Sequence, residues 1–174
     1  MTPSKNVKKQ ERWRNEWRLR TGVSYLNHGS FGPSPLVVQE RCARWTQALH
    51  EEPMDFFLRV LEPRLEEVRR RLARFLSCAA DDLIFVDNAT TGMNIIASSW
   101  PLLVGDEVLL TDHEYGAVRR IWERACRRAG ATLCVATLPR PLTDERQLVA
   151  AVFAAATPKT RMLVVSHITS PTAI

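Results

Sequence analysis

Gly105-Asp-Glu-Val-Leu-Leu-Thr-Asp-His-Glu-Tyr-Gly116 is the stretch on which the fold turns. Gly105-Asp106 marks a turn, Glu107-Val-Leu-Leu110 is a short apolar run, and Thr111 to Tyr115 then follow as five functional side chains. A strand with one wet face alternates apolar and polar residues. Val108-Leu109-Leu110 does not, so it reads as a strand buried on both faces, as in a parallel sheet. After it, Val118, Ile121, Trp122, Ala125 and Ala129 share one side of a helix over 116–129, which Gly130 closes.

The same alternation continues in both directions. Downstream, Leu133-Cys-Val-Ala136 is a strand, 144–155 a helix capped by Thr143 or Asp144, and Arg161-Met-Leu-Val-Val165 another strand. Upstream, Leu83-Ile-Phe-Val86 reads as a buried strand and 88–99 as a helix with a polar start. The class is therefore α/β, a mainly parallel sheet covered by helices on both faces. Before it, a helix over about 35–51 fits Val38, Cys42, Trp45 and Leu49. A longer one carries Leu61, Leu65, Val68, Leu72 and Phe75, and Pro63 either kinks it or marks its true start. Residues 25–33 form a shaped loop with two glycines and a proline. Residues 1–24 read as a polar arm, with Trp13 and Trp17 placed to dock on a neighbour.

Composition narrows the class further. With 174 residues, 45% hydrophobic and 25% charged, the chain can bury a core and is not a disordered or collagenous sequence. No run approaches the roughly 18 apolar residues of a spanning helix. The net charge of +5 could mark a nucleic-acid or membrane surface. The runs Arg69-Arg-Arg71, Arg119-Arg120 and Arg127-Arg128 instead fall inside helices, and Glu66 and Glu67 precede Arg70 and Arg71 by four. They read as solvated, ion-paired faces, so neither nucleic acid nor membrane is expected as a partner. Cys42, Cys78, Cys126 and Cys134 lack C-x-x-C spacing and read as reduced, mostly apolar fillers. The four histidines are too scattered for a metal pair, so no metal is expected. The first 20 residues lack the apolar centre of a signal peptide, which gives a cytoplasmic expectation.

Ligands of open α/β sheets bind at the carboxyl ends of the strands. Asp87-Asn-Ala-Thr-Thr-Gly92 opens a helix, whose free N–H groups and two hydroxyls could cradle a phosphate or simply cap the helix. After Glu107–Leu110, Tyr115 could stack on a flat ring, and His113 or Glu114 could move protons, unless this is a plain polar loop. Ser166-His-Ile-Thr-Ser-Pro-Thr172 gathers hydroxyls and an imidazole at a third strand end. One small, phosphorylated, ring-bearing cofactor would satisfy all three.

Five segments occur here in order: 25–32 (Tyr25-Leu-Asn-His-Gly-Ser-Phe-Gly32), 87–94 (Asp87-Asn-Ala-Thr-Thr-Gly-Met-Asn94), 105–108, 111–116 and 166–172. Together they resemble the class V aminotransferase family, and within it the isopenicillin N epimerase-like branch, relatives of the cysteine desulfurases. The resemblance covers about residues 22–174. It implies an aspartate-aminotransferase-like fold, homodimers, pyridoxal 5'-phosphate as cofactor and an amino-acid substrate, with epimerase, aminotransferase and carbon–sulfur lyase chemistry all open. It implies that Ala89, Thr90 and Thr91 hold the cofactor phosphate, that Tyr115 stacks on the ring, and that His167 and Thr169 lie near its phenolic oxygen. Asn27, His28, Gly29 and Ser30 would face the substrate, His113 would be a ring contact or proton handler, and Phe56 and Phe57 would lie near the dimer interface.

Two departures stand out. Ala173 occupies a position where the branch usually has glycine. The family also needs an Asp for the pyridinium nitrogen and a Lys for the Schiff base, both beyond the last strand here. Lys5, Lys8 and Lys9 lie in the arm, and Lys159 enters a strand from its amino end. The expectation is an incomplete fold: 1–24 an arm, 25–80 the substrate-facing loop and N-terminal helices, 81–174 the first part of the cofactor-binding large domain. Such an N-terminal portion would be catalytically inactive, with no catalytic residue of its own and the cofactor bound non-covalently at most. The alternative is a non-catalytic module that associates with a homologue or with a separate C-terminal half.

Overall fold

The computed structural model describes residues 13–141 and 143–174, so the first half of the expected polar arm, residues 1–12, lies outside the described residues. The chain divides into two compact units, Met1–Ile84 and Phe85–Ile174.

The first unit is helical. Helix α1, Leu36–Glu51, follows Pro35. The chain is helical again from Pro53, through a short turn Pro53–Asp55 and a wide π-helical segment Phe56–Leu61, into α2, Glu62–Leu76. Pro63 therefore sits in the first turn of α2, and the widened π-helical turn directly before it absorbs the break that its missing N–H makes in the ladder. The arginines of α2 pair along its surface as expected. Glu66 accepts from Arg70 at 2.8 Å, and the Arg69 guanidinium beside it holds its carboxyl below the ordinary carboxylate range. Arg69 also donates to Ala80 O at 2.9 Å, tying the following turn to the helix.

The second unit holds a parallel three-stranded sheet in the order β2-β1-β3: β1 is Glu107–Thr111, β2 Thr132–Ala136 and β3 Thr160–Val164. Helices α3 (Ala89–Ser99), α4 (Gly116–Ala129) and α5 (Glu145–Ala155) accompany it. Side chains alternate across β1. Val108 and Leu110 join Ala97 of α3 and Ile121, Trp122, Ala125 and Cys126 of α4, while Leu109 points to the other face and meets Ala136, Leu138 and Val152 of α5. Each fully buried residue of this kind contributes about 1.5–3 kcal/mol. Both faces of β1 are covered, as its unbroken apolar run requires.

The ends of these helices follow local chemistry. Asn88 caps α3, Asp144 caps α5 by accepting from Arg146 N–H at 2.9 Å, and Gly130 closes α4 at φ +69°. A Cβ at Gly130 would lie 3.1 Å from Val104 Cγ2, a second reason for glycine there.

Two expectations are corrected. Leu83–Val86 is not a strand of the described sheet. Leu83 is extended, but Ile84, Phe85 and Val86 stay 68%, 48% and 40% exposed. An apolar run supplies one side of a ladder, and here no neighbour supplies the other. The cysteines also divide. Cys126 is buried and Cys134 half-buried, so they fill space as expected, but Cys42 and Cys78 are exposed.

Candidate functional site

Three strand or helix ends carry the predicted residues of the second unit. At the first, helix α3 starts at Ala89, leaving its leading N–H groups without intrahelical acceptors. Asn88 Oδ1 accepts from Thr91 N–H at 2.9 Å and from Thr91 Oγ1 at 3.3 Å. Thr91 is thus held inward, while Ala89 and Thr90 remain exposed. Asn94 Nδ2 donates to Thr90 O at 2.9 Å, and Arg124 Nη2 of α4 holds Asn94 Oδ1 at 2.8 Å. The exposed amides, the Thr90 hydroxyl and the positive end of the helix dipole fit a phosphate.

At the exit of β1, consecutive side chains reach to the other two strands. Asp112 Oδ1 accepts from Leu138 N–H, beyond β2, at 2.9 Å. Glu114 accepts from Ser166 N–H, beyond β3, at 3.0 Å, from the Ser166 hydroxyl, and from Tyr115 N–H at 2.8 Å. Between them, His113 is 2% exposed, with Nδ1 2.9 Å from Thr172 Oγ1. Its Nε2 and the Oγ1 of Thr111 are buried without a hydrogen-bond partner among the described residues. Tyr115, the last of the run, is 53% exposed and leads into α4.

Beyond β3, His167 is exposed and Thr169 is buried. Thr169 Oγ1 lies 2.9 Å from Thr172 Oγ1 and accepts from Ile174 N–H at 3.1 Å. Ala173 stands at φ +55°, in the left-handed region that glycine prefers.

The structure therefore links His113, Thr169 and the loops after β2 and β3 through the β1 exit. No hydrogen bond among the described residues joins Ala89–Thr91 to Tyr115, His167 or Thr169. Thr172 was not singled out from the sequence as a site residue. Its signal was a second hydroxyl three positions after Thr169, but its partner lies 59 positions away.

The Asn27–Ser30 stretch belongs to the first unit. Residues 28–31 form one helical turn, His28–Phe31, with Asn27 O accepting from Phe31 N–H at 3.2 Å. All four residues are exposed. The Tyr25 hydroxyl donates to Phe31 O, and Trp17 Nε1 donates to Pro33 O at 3.0 Å, so Trp17 does dock. The His28 ring meets the Tyr25 and Trp17 rings edge-on, at 5.3 and 6.4 Å. Gly32 is required here, because a Cβ would sit 2.7 Å from His28 O.

Comparison with known proteins decides the family. The aminotransferase class-V profile matches residues 39–172. The chain belongs to the aminotransferase class-V family. It is 38% identical over 164 residues to isopenicillin N epimerase of Streptomyces clavuligerus, covering 94% of this chain and 41% of that protein. It is 32% identical to putative L-cysteine desulfhydrase 1 of Oryza sativa subsp. japonica, covering 86% of this chain and 34% of that one. Among solved structures, the complex of the cystine C-S lyase C-DES with its product cysteine persulfide superposes with a TM-score of 0.79 at 26% identity, over 88% of this chain and 40% of that one. A C-DES mutant with glycine covalently linked to its PLP cofactor gives a TM-score of 0.74 at 23% identity, over 97% of this chain and 42% of that one. The α/β architecture is thus that of the PLP-dependent class-V enzymes, present in part. The chain spans about two fifths of the length of the epimerases it matches. No helix among the described residues is long and apolar enough to cross a membrane.

Proposed function

We propose that this chain supplies the phosphate-holding and ring-contacting part of a pyridoxal-phosphate site in an enzyme acting on an amino acid. The observation that carries the reading is the start of α3. A capped helix presents exposed amides and a threonine hydroxyl within a family whose solved relative binds this cofactor. When bound, pyridoxal phosphate takes up the electron pair released from a bond to the substrate's α-carbon. This chain's residues bind and orient. Ala89 and Thr90 give N–H groups to the phosphate, Thr90 gives its hydroxyl, Thr91 gives its own on release from Asn88, and Asn88 fixes the helix start. Tyr115 offers an exposed ring for stacking, and His167 and Thr169 offer hydrogen bonds to the ring's oxygen substituent. Asn27, His28, Gly29 and Ser30 contact the substrate.

His113, the ring contact or proton handler that the resemblance implies, is buried at the β1 exit. Phe56 and the exposed Phe57 lie near the interface of a homodimer in the cytoplasm. Epimerisation, amino transfer and carbon–sulfur cleavage remain the reaction classes, the first and last matching the names of relatives and the second that of the family. Lys159 does not serve the site. Its carbonyl accepts from Glu107 N–H at 2.9 Å, at the amino end of β1. On this reading the chain alone does not turn over substrate.

Titration of the chain with pyridoxal phosphate and with pyridoxal, read by tryptophan fluorescence, tests the reading. Saturable binding that prefers the phosphorylated form and weakens about tenfold in Thr90→Ala is expected, the size of one charge-assisted hydrogen bond. Equal binding of the two compounds, or indifference to Thr90→Ala, overturns it.

A further inference from the structure

The segment after β3 is a turn that closes on itself. Thr169 N–H donates to Ile174 O at 2.9 Å, Ala173 N–H donates to Thr169 O at 2.9 Å, and Ile174 N–H donates to Thr169 Oγ1 at 3.1 Å. It contains a non-glycine residue in the left-handed region, Ala173 at φ +55°, so its own backbone preference works against it. Two side chains from the β1 exit fasten it. Glu114 holds the upstream end through Ser166, and His113 holds the downstream end, its Nδ1 2.9 Å from Thr172 Oγ1. Thr169 sits between these two attachments, buried, its hydroxyl 2.9 Å from that of Thr172.

We infer that His113 is a positioning residue: through the Thr172 hydroxyl it fixes the hydroxyl of Thr169 at the carboxyl end of β3. What Thr169 then contacts rests on the cofactor reading above; the link from His113 to Thr169 does not. A ring 2% exposed, with one nitrogen engaged by a turn hydroxyl, is shut off from solvent and acts through its neighbours. Glu114 is no substitute, because its carboxylate is committed to Ser166 and to Tyr115 N–H.

The atom used makes the inference testable. An asparagine side chain places a polar atom near the Nδ1 position, whereas a glutamine reaches toward Nε2, which has no hydrogen-bond partner among the described residues and faces Asp112 Oδ1 at 3.9 Å. Amide hydrogen exchange at Thr169, Ala173 and Ile174 is measured in the 174-residue chain for His113→Asn, His113→Gln, Thr172→Ser and Thr172→Val, alongside pyridoxal-phosphate affinity. His113→Gln and Thr172→Val are expected to speed exchange at these amides about tenfold, the scale of one lost hydrogen bond. His113→Asn and Thr172→Ser stay near the unmodified chain, and the amides of α4 do not change in any variant. Cofactor affinity falls in the same two variants. Equal behaviour of His113→Asn and His113→Gln, or faster exchange spread across the sheet, overturns the inference. If the exchange pattern appears but the unmodified chain binds no pyridoxal phosphate, the positioning role stands and the cofactor reading falls. If the cofactor binds and neither exchange nor affinity follows the variants, the reading stands and the inference falls.

Discussion

Leu83-Ile-Phe-Val86 and Glu107-Val-Leu-Leu110 have nearly the same apolar character, yet the folded chain treats them oppositely. Val108, Leu109 and Leu110 are 0–1% exposed, at the centre of the sheet. Ile84, Phe85 and Val86 are open, and no described strand lies beside them. The difference is not in their side chains. β1 has a parallel neighbour on each edge and a helix layer on each face, and the upstream run has no strand neighbour among the described residues. Apolar content shows that a segment can be buried; partners decide whether it is.

The sharpest way to break this contrast is Leu110→Ala. It removes buried volume from the α3–α4 face and should cost about 3 kcal/mol, read from urea unfolding. A cost under about 1 kcal/mol would mean that the core around β1 is loosely packed. Thiol labelling at pH 8 extends the contrast to cysteines. Only the thiolate reacts, and burial pushes the Cys126 thiol up, so it carries less thiolate at that pH. Cys126 should label more than about tenfold more slowly than exposed Cys42 and Cys78, as mass spectrometry of labelled peptides would show. Ala173→Gly relieves a left-handed residue and should stabilise the turn after β3 by about 1 kcal/mol. Slower amide exchange at Thr169 would report it, and a destabilised turn would argue against the positive φ. Phe85→Ser should change the unfolding free energy by less than about 0.5 kcal/mol, because the ring is half exposed. A loss comparable with that of Leu110→Ala would show that the upstream run is packed after all.

What the sequence made legible was what short-range chemistry controls. Gly130, Asn88 and Asp144 announce the ends of α4, α3 and α5, because each end is a few residues' geometry. The unbroken run of β1 announced its two covered faces. The fate of Leu83–Val86 was not legible, since it depends on a neighbour that no local pattern names. The β1 exit was legible only as a cluster of functional side chains. That Glu114 goes to Ser166 and His113 to Thr172 depends on contacts 52 and 59 positions apart, and no spacing rule reaches that far. The helix start at Ala89–Thr91 lies between. Its capping was readable, and the inward turn of Thr91 toward Asn88 shows only in the folded chain.

The strand order β2-β1-β3 also sets a timetable. The middle strand is the first of the three to leave the ribosome, and both of its hydrogen-bonding neighbours are made after it. Glu107 and Thr160, side by side in the finished sheet, are 53 positions apart. Through that interval the most deeply buried strand of the unit waits with two open edges, paying the loop-closure entropy of its later pairings in advance of any contact that rewards it. Translation pauses or chaperone contacts that shelter a nascent chain would act on this molecule most strongly between the synthesis of residues 111 and 164.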